Sequence, residues 1–225
     1  MKPMLIYSMP RARSHVALES AKRAVKMIEP LGFRMLFKHH ITERYDLPAY
    51  FDKLVPDSLW EETKRQMDND NTASKLFGYH LFEIKRARTW WLDLQKAGSH
   101  EIFVLERDRT SLCMSMLVGL LIGFTQHNER PAIPLSINSQ DLWIVYRYVE
   151  EHLRYYPRTG RLITWDDLPA EHFDKQQVTV VNQHSLSRTD VIANREWCQE
   201  RVAEILEHFK QEWDDKQGAL AESCS

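Results

Sequence analysis

The sequence predicts an α/β protein with a mostly parallel central sheet and helices on both faces. Three observations predict it. Short apolar runs alternate along the chain with longer segments of helical spacing. The run at 101–107 is short and continuously apolar at its centre, as a strand covered on both faces has to be. Polar clusters at 8–15, 107–115 and 165–167 follow directly on such runs, where open α/β sheets collect their ligands.

Taken in order, an apolar run at 5–7 stops at Ser8-Met9-Pro10. After a basic loop, Leu18, Ala21, Val25 and Ile28 recur with helical spacing, and Glu29-Pro30-Leu31-Gly32 reads as a stop. A second strand is expected over 33–39, then a loop over 41–56 with a short helix at 48–54. Ser58 and Glu61 fit a capping box for a helix over 59–68, and 68–72 is a polar break. A third strand is expected over 75–82, a helix over 86–97 carrying Trp90, Trp91 and Leu94, and a fourth strand over 101–107. The helix over 110–126 contains the most apolar stretch of the chain and is expected to be buried on all sides. Asn138 caps a helix whose Leu142, Val145, Val149 and Leu153 share one face. Strands follow at 161–165 and 177–181, then a helix over 192–214 with Val202, Ile205, Phe209 and Trp213 on one face, and a frayed tail over 216–225.

A length of 225 residues suits one domain, expected over 1–215, with 41–72 and 125–140 as insertions shaping a pocket. A net charge of −2 gives no global field for nucleic acid, so any basic site must be local. Cys113, Cys198 and Cys224 are too few and too scattered for a disulfide framework or a zinc site, which suggests a reducing, cytoplasmic setting. The apolar start at 4–7 is too short for a secretory signal, and 112–124 falls short of a membrane span. A soluble protein without membrane or nucleic-acid partners is therefore expected, its oligomeric state left open. His39 and His40 are adjacent on a strand and point to opposite faces, so a shared metal ion is not expected. Asp166 and Asp167 read as a turn.

A strand turning through a basic loop into a helix N-terminus makes an anion site, and phosphate or sulfate is the expected ligand. The loop is not a Walker A loop, because it contains no glycine. Residues 8–15 instead resemble the 5′-phosphosulfate loop of sulfotransferases that use 3′-phosphoadenosine 5′-phosphosulfate (PAPS). Pro10 matches that loop's proline, Arg11 its catalytic cation, and Ser14 and His15 its hydroxyl pair, while Arg13 stands where the family has glycine. A second match lies at 101–115, where a strand runs into Arg107 and Ser115 follows eight positions on, read as the start of a helix, as in the family's grip on the 3′-phosphate. Trp165 stands where that family places an aromatic residue near the adenine, and His80 near its catalytic histidine. The family's late Arg-Lys-Gly segment is missing, with Arg188 as a substitute.

The resemblance implies a three-layer sandwich of the P-loop-type sulfotransferase fold. It implies that Pro10, Arg11, Ala12, Arg13, Ser14, His15, Arg107, Ser115, Trp165 and Arg188 bind PAPS and its bisphosphate product. It further implies in-line transfer of the sulfuryl group to a hydroxyl or amine of a small-molecule or glycan acceptor, without a metal. Arg11 would neutralise charge on the leaving phosphate and His80 would take the acceptor's proton. Two other readings compete: a P-loop kinase with Val104-Leu105-Glu106 as a degenerate Walker B segment, and a non-catalytic nucleotide-binding relative.

Overall fold

The computed structural model describes residues 2–22, 57–122, 134–177 and 191–222. Among them a sheet is formed by four strands, β1 (Met4–Ser8), β2 (Ala73–Phe77), β3 (Glu101–Glu106) and β4 (Arg161–Thr164), in the order β2-β1-β3-β4. All pairs are parallel. Around it stand α1 (Ser14–Ser20), α2 (Asp57–Met67), α3 (Gly78–Glu83), α4 (Lys85–Ala97), α5 (Arg109–Ile122), α6 (Ser139–Arg154) and α7 (Arg195–Glu222), with a 3-10 turn at Lys175–Gln177.

Strand side chains alternate between two apolar layers. Met4, Ile6, Phe103, Leu105 and Ile163 pack with Ala17 and Leu18 of α1 and with Phe173. Leu5, Tyr7, Ile102 and Val104 face the larger layer built from α2 to α7. Both faces of the sheet are thus covered by helices, an arrangement compatible with a three-layer sandwich. The register sets Ser8 beside Phe77 and Leu105, and Glu106 beside Thr164, so the carboxyl ends of all four strands meet along one edge.

The helices follow the expected faces. Leu112 through Val118 of α5 are all buried, and so are Leu142, Val145, Val149 and Leu153 of α6. Asn138 caps α6: its side chain accepts from the backbone N–H groups of Gln140 and Asp141, and Asp141 accepts from the Asn138 N–H. Replacing Asn138 by alanine is expected to lower stability by about 1 kcal/mol, read from a thermal melt.

Several boundaries differ from expectation. The strand expected over 75–82 ends at Phe77, and the chain turns at Gly78 into α3. An apolar run rich in aromatics suits a buried strand and a buried short helix equally, and periodicity could not separate them. Helix α1 stops at Ser20, because Ala21 is extended and bridges to Phe173; the residues beyond 22 that were expected to continue it lie outside the described residues. Ser58 sits inside the first turn of α2 rather than capping it. The tail expected to fray from 216 is helical through Glu222, anchored by Leu220, which is 1% exposed. Gln177, expected to open a strand, closes the 3-10 turn, and the rest of that strand lies outside the described residues, as do the elements expected over 33–39 and 48–54 and the paired His39 and His40. Of the segment 41–72, the described part is built into the core: Trp60 of α2 is buried edge-to-face on Trp90. Among the described residues no helix is long and apolar enough to cross a membrane.

Candidate functional site

The loop between β1 and α1 is packed rather than solvated. Ser8 is fully buried, Met9, Ala12 and Ser14 are buried, and Pro10 is covered as well. The Ala12 N–H donates to the Met9 carbonyl, closing a tight turn. Arg11 and Arg13 both hold left-handed backbone, with φ of 71° and 66°. For a residue with a Cβ this conformation costs roughly 1–2 kcal/mol. Position 13 therefore has a conformation suited to the glycine that the resembled loop carries, adopted here by an arginine.

This backbone brings three arginines to one place. Arg11 Nε donates to Ser115 Oγ at 3.3 Å, across 104 positions of sequence. Arg107, the first residue after β3, donates from Nη1 to the Arg11 carbonyl at 3.2 Å. The Arg13 side chain makes no hydrogen bond or ion pair among the described residues, and no carboxylate there lies within ion-pair distance of any of the three arginines. Desolvation pulls the Arg11 guanidinium below its ordinary range. Arg107 is lowered first by desolvation and then by the charge of Arg13, partly offset by Asp108 and lowered further by Arg11. All three remain cations, because an arginine does not deprotonate in a protein. The result is a half-buried positive cluster at the strand ends, facing itself.

Ser115 departs from expectation in one respect. It was read as standing at the start of its helix, but α5 begins at Arg109, so Ser115 lies in the second turn. The helix start belongs to Asp108, whose carboxylate accepts from the Ser111 N–H at 2.7 Å. That bond, together with one from the Ser111 side chain, holds the Asp108 carboxyl below its usual range. The carboxylate that follows Arg107 in sequence is thereby occupied as a helix cap.

The other expected site residues lie as follows. His15 turns along α1 to pair with Glu19 at 3.1 Å. Trp165 follows β4, packs against the α1 layer, and carries the Lys175 ammonium 5.8 Å above its ring. The Asp167 carboxylate accepts the Thr164 hydroxyl at 2.7 Å, the turn expected of that pair of aspartates. His80 is 3% exposed, in the first turn of α3, and its Nδ1 accepts the Phe77 N–H at 3.4 Å. The structure thus gives His80 a place at a helix start beside the ring of Tyr79. Arg188 lies outside the described residues.

For two residues of these segments the structure adds surroundings that the sequence does not disclose. Ser8 Oγ is buried at the foot of the loop without a hydrogen-bond partner among the described residues. Glu106 is held by Oε1, which accepts from Tyr156 Oη at 3.0 Å and Trp213 Nε1 at 3.4 Å, with His152 Nε2 at 3.5 Å. Burial and this carboxylate push the Tyr156 hydroxyl up, so it stays protonated and donates. Glu106 thereby ties α6 and α7 to the end of β3. Beside it a cleft of about 540 Å³ opens between the start of α5 and α7, lined by Glu106, Arg107, Asp108, Thr110, Glu207 and Lys210. The only signal for Glu106 in the sequence is a carboxylate ending an apolar strand. Burial pushes the Cys113 thiol up to about 12, which makes it a core residue rather than a nucleophile. Among the described residues no group of three or more His, Cys, Asp or Glu side chains is placed to hold a metal ion.

Fold and site together define a class: an α/β protein with a parallel sheet and a basic site at the carboxyl ends of its strands. No protein-family model, curated protein or solved structure matches the chain.

Proposed function

We propose that the chain binds a nucleotide with phosphate groups at both the 3′ and 5′ positions and transfers a sulfuryl group from PAPS to a hydroxyl or amine. The observation that carries this reading is the meeting of Arg11, Arg107 and Ser115 beside Arg13, with no carboxylate of the described residues within ion-pair distance of the three arginines and only Asp108 partly offsetting Arg107. A desolvated cluster of like charges favours an anionic ligand. Its residues are those that the resembled loop and the resembled Arg–Ser pair would commit to the two ends of the nucleotide. Arg11 neutralises the leaving phosphate as the acceptor oxygen or nitrogen attacks sulfur and the sulfur–oxygen bond to phosphate breaks, with the acceptor's proton passing to His80. The buried histidine in α3 is a weaker element of this reading than the arginines, since its Nδ1 is engaged by backbone.

The kinase reading would use Glu106 on a metal-bound nucleotide. Oε1 of that carboxylate already holds Tyr156 and Trp213, which counts against this use. Thermal shift separates the readings. A ligand present at a hundred times its dissociation constant adds about 2.7 kcal/mol. At roughly 2–4 °C per kcal/mol for a chain of this size, the melting point should rise by about 5–10 °C. Adenosine 3′,5′-bisphosphate is expected to give that shift without magnesium, and ATP is not. A shift only with ATP and magnesium favours the kinase, and no shift with either ligand rejects nucleotide binding.

A further inference from the structure

Arg13 is locally the least comfortable residue of the loop. It holds a left-handed φ of 66°, which glycine would adopt without steric conflict. It stands near two further arginines, and among the described residues its side chain has no hydrogen bond and no ion pair. Its backbone does useful work, since its carbonyl accepts the Ala17 N–H at 2.9 Å, but glycine offers the same carbonyl. Nothing that the described protein gains from this side chain offsets the strain and the repulsion. A bound polyanion supplies the missing partner. Arg107 feels the charges of both Arg13 and Arg11.

We propose that Arg13 is a specificity-determining ligand residue, a third cation that pairs with the bound anion and selects ligands carrying more charge than a single phosphate. This deepens the nucleotide reading and rests on it for the identity of the ligand. Among the described residues Arg11 and Arg107 are each tied by a side-chain hydrogen bond, whereas the Arg13 side chain is uncommitted there and can close on the ligand.

Calorimetric titration of the full chain with adenosine 3′,5′-bisphosphate and with inorganic pyrophosphate, beside thermal melts, tests this. Arg13→Gly is expected to weaken both ligands by about tenfold or more, the loss of a charge-assisted contact, while raising the melting temperature of the free protein. Arg13→Lys should recover much of the affinity without that gain in stability. Unchanged affinity in Arg13→Gly overturns the proposal, as does a lowered melting temperature or an Arg13→Lys variant no tighter than Arg13→Gly. Arg107→Ala separates the two levels. Lost bisphosphate binding there with full binding in Arg13→Gly overturns only the role of Arg13. Pyrophosphate binding that depends on Arg13, with no bisphosphate binding by the unaltered protein, rejects the nucleotide and supports the anion role. Binding of neither ligand overturns both.

Discussion

Arg107→Ala is expected to lower the affinity for adenosine 3′,5′-bisphosphate by on the order of a hundredfold, with little change in the stability of the free protein. Charge-assisted hydrogen bonds contribute roughly 1.5–3 kcal/mol each, and a guanidinium can give a phosphate two of them. A loss of about 3 kcal/mol corresponds to about two decades in the dissociation constant. The same side chain does little for the empty fold. It makes one bond of 3.2 Å to a backbone carbonyl, in a neighbourhood where its charge is opposed by Arg11 and Arg13. Removing it exchanges one modest hydrogen bond for relief of like-charge repulsion, and the two effects oppose each other within about 1 kcal/mol. Calorimetry and a thermal melt on the same variant read the two quantities separately. Undiminished binding in Arg107→Ala, and likewise in Arg11→Ala, would reject this cluster as the ligand site.

The contrast between those two quantities reflects what the sequence did and did not disclose. The sheet was legible because β1 and β3 are buried on both faces and so read as continuous apolar runs. Helix α5 was legible as a nearly continuous apolar stretch, and α6 by Leu142, Val145, Val149 and Leu153 recurring on one face behind an asparagine cap. The third strand was drawn too long because Gly78 interrupts an otherwise unbroken apolar run, and only the approach of α6 shows that the chain must turn there. The last helix outran its expected end because one buried leucine, Leu220, outweighs a polar surrounding. In the site, the arginines and Ser115 could be named by type and spacing. That the two clusters share one end of the sheet follows from their places after β1 and β3, but the direct contacts of Arg11 with Ser115 and Arg107 do not, because Arg11 and Arg13 hold left-handed backbone that no glycine marks. The buried hydroxyl of Ser8 and the anchoring of Glu106 by Tyr156 and Trp213 are likewise products of tertiary packing and left no local trace.

Gly78→Ala is expected to be among the most damaging single-atom changes in the chain. An added Cβ would lie 2.5 Å from the Glu151 carbonyl oxygen and 2.7 Å from both the Glu151 carbonyl carbon and His152 Cα, all backbone atoms of α6. No side-chain rotation relieves such contacts, so α3 and α6 must separate. Overpacking of this kind costs about 3 kcal/mol, and for a chain of this length the melting temperature should fall by about 6–12 °C. The displacement also reaches the site. The His152 carbonyl accepts the Tyr7 hydroxyl at 2.7 Å, and the His152 ring stacks on Tyr7 at 5.0 Å. Tyr7 directly precedes Ser8, where the arginine loop begins, so a shift of α6 loosens the strand end that presents the loop. Weaker bisphosphate binding should therefore accompany the loss of stability. Gly98→Ala provides the comparison. Gly98 has φ of 57° but open space around its missing Cβ, so only backbone strain of about 1 kcal/mol is expected there. Equal losses in the two variants would mean that the close approach of α6 to Gly78 is not what limits that position.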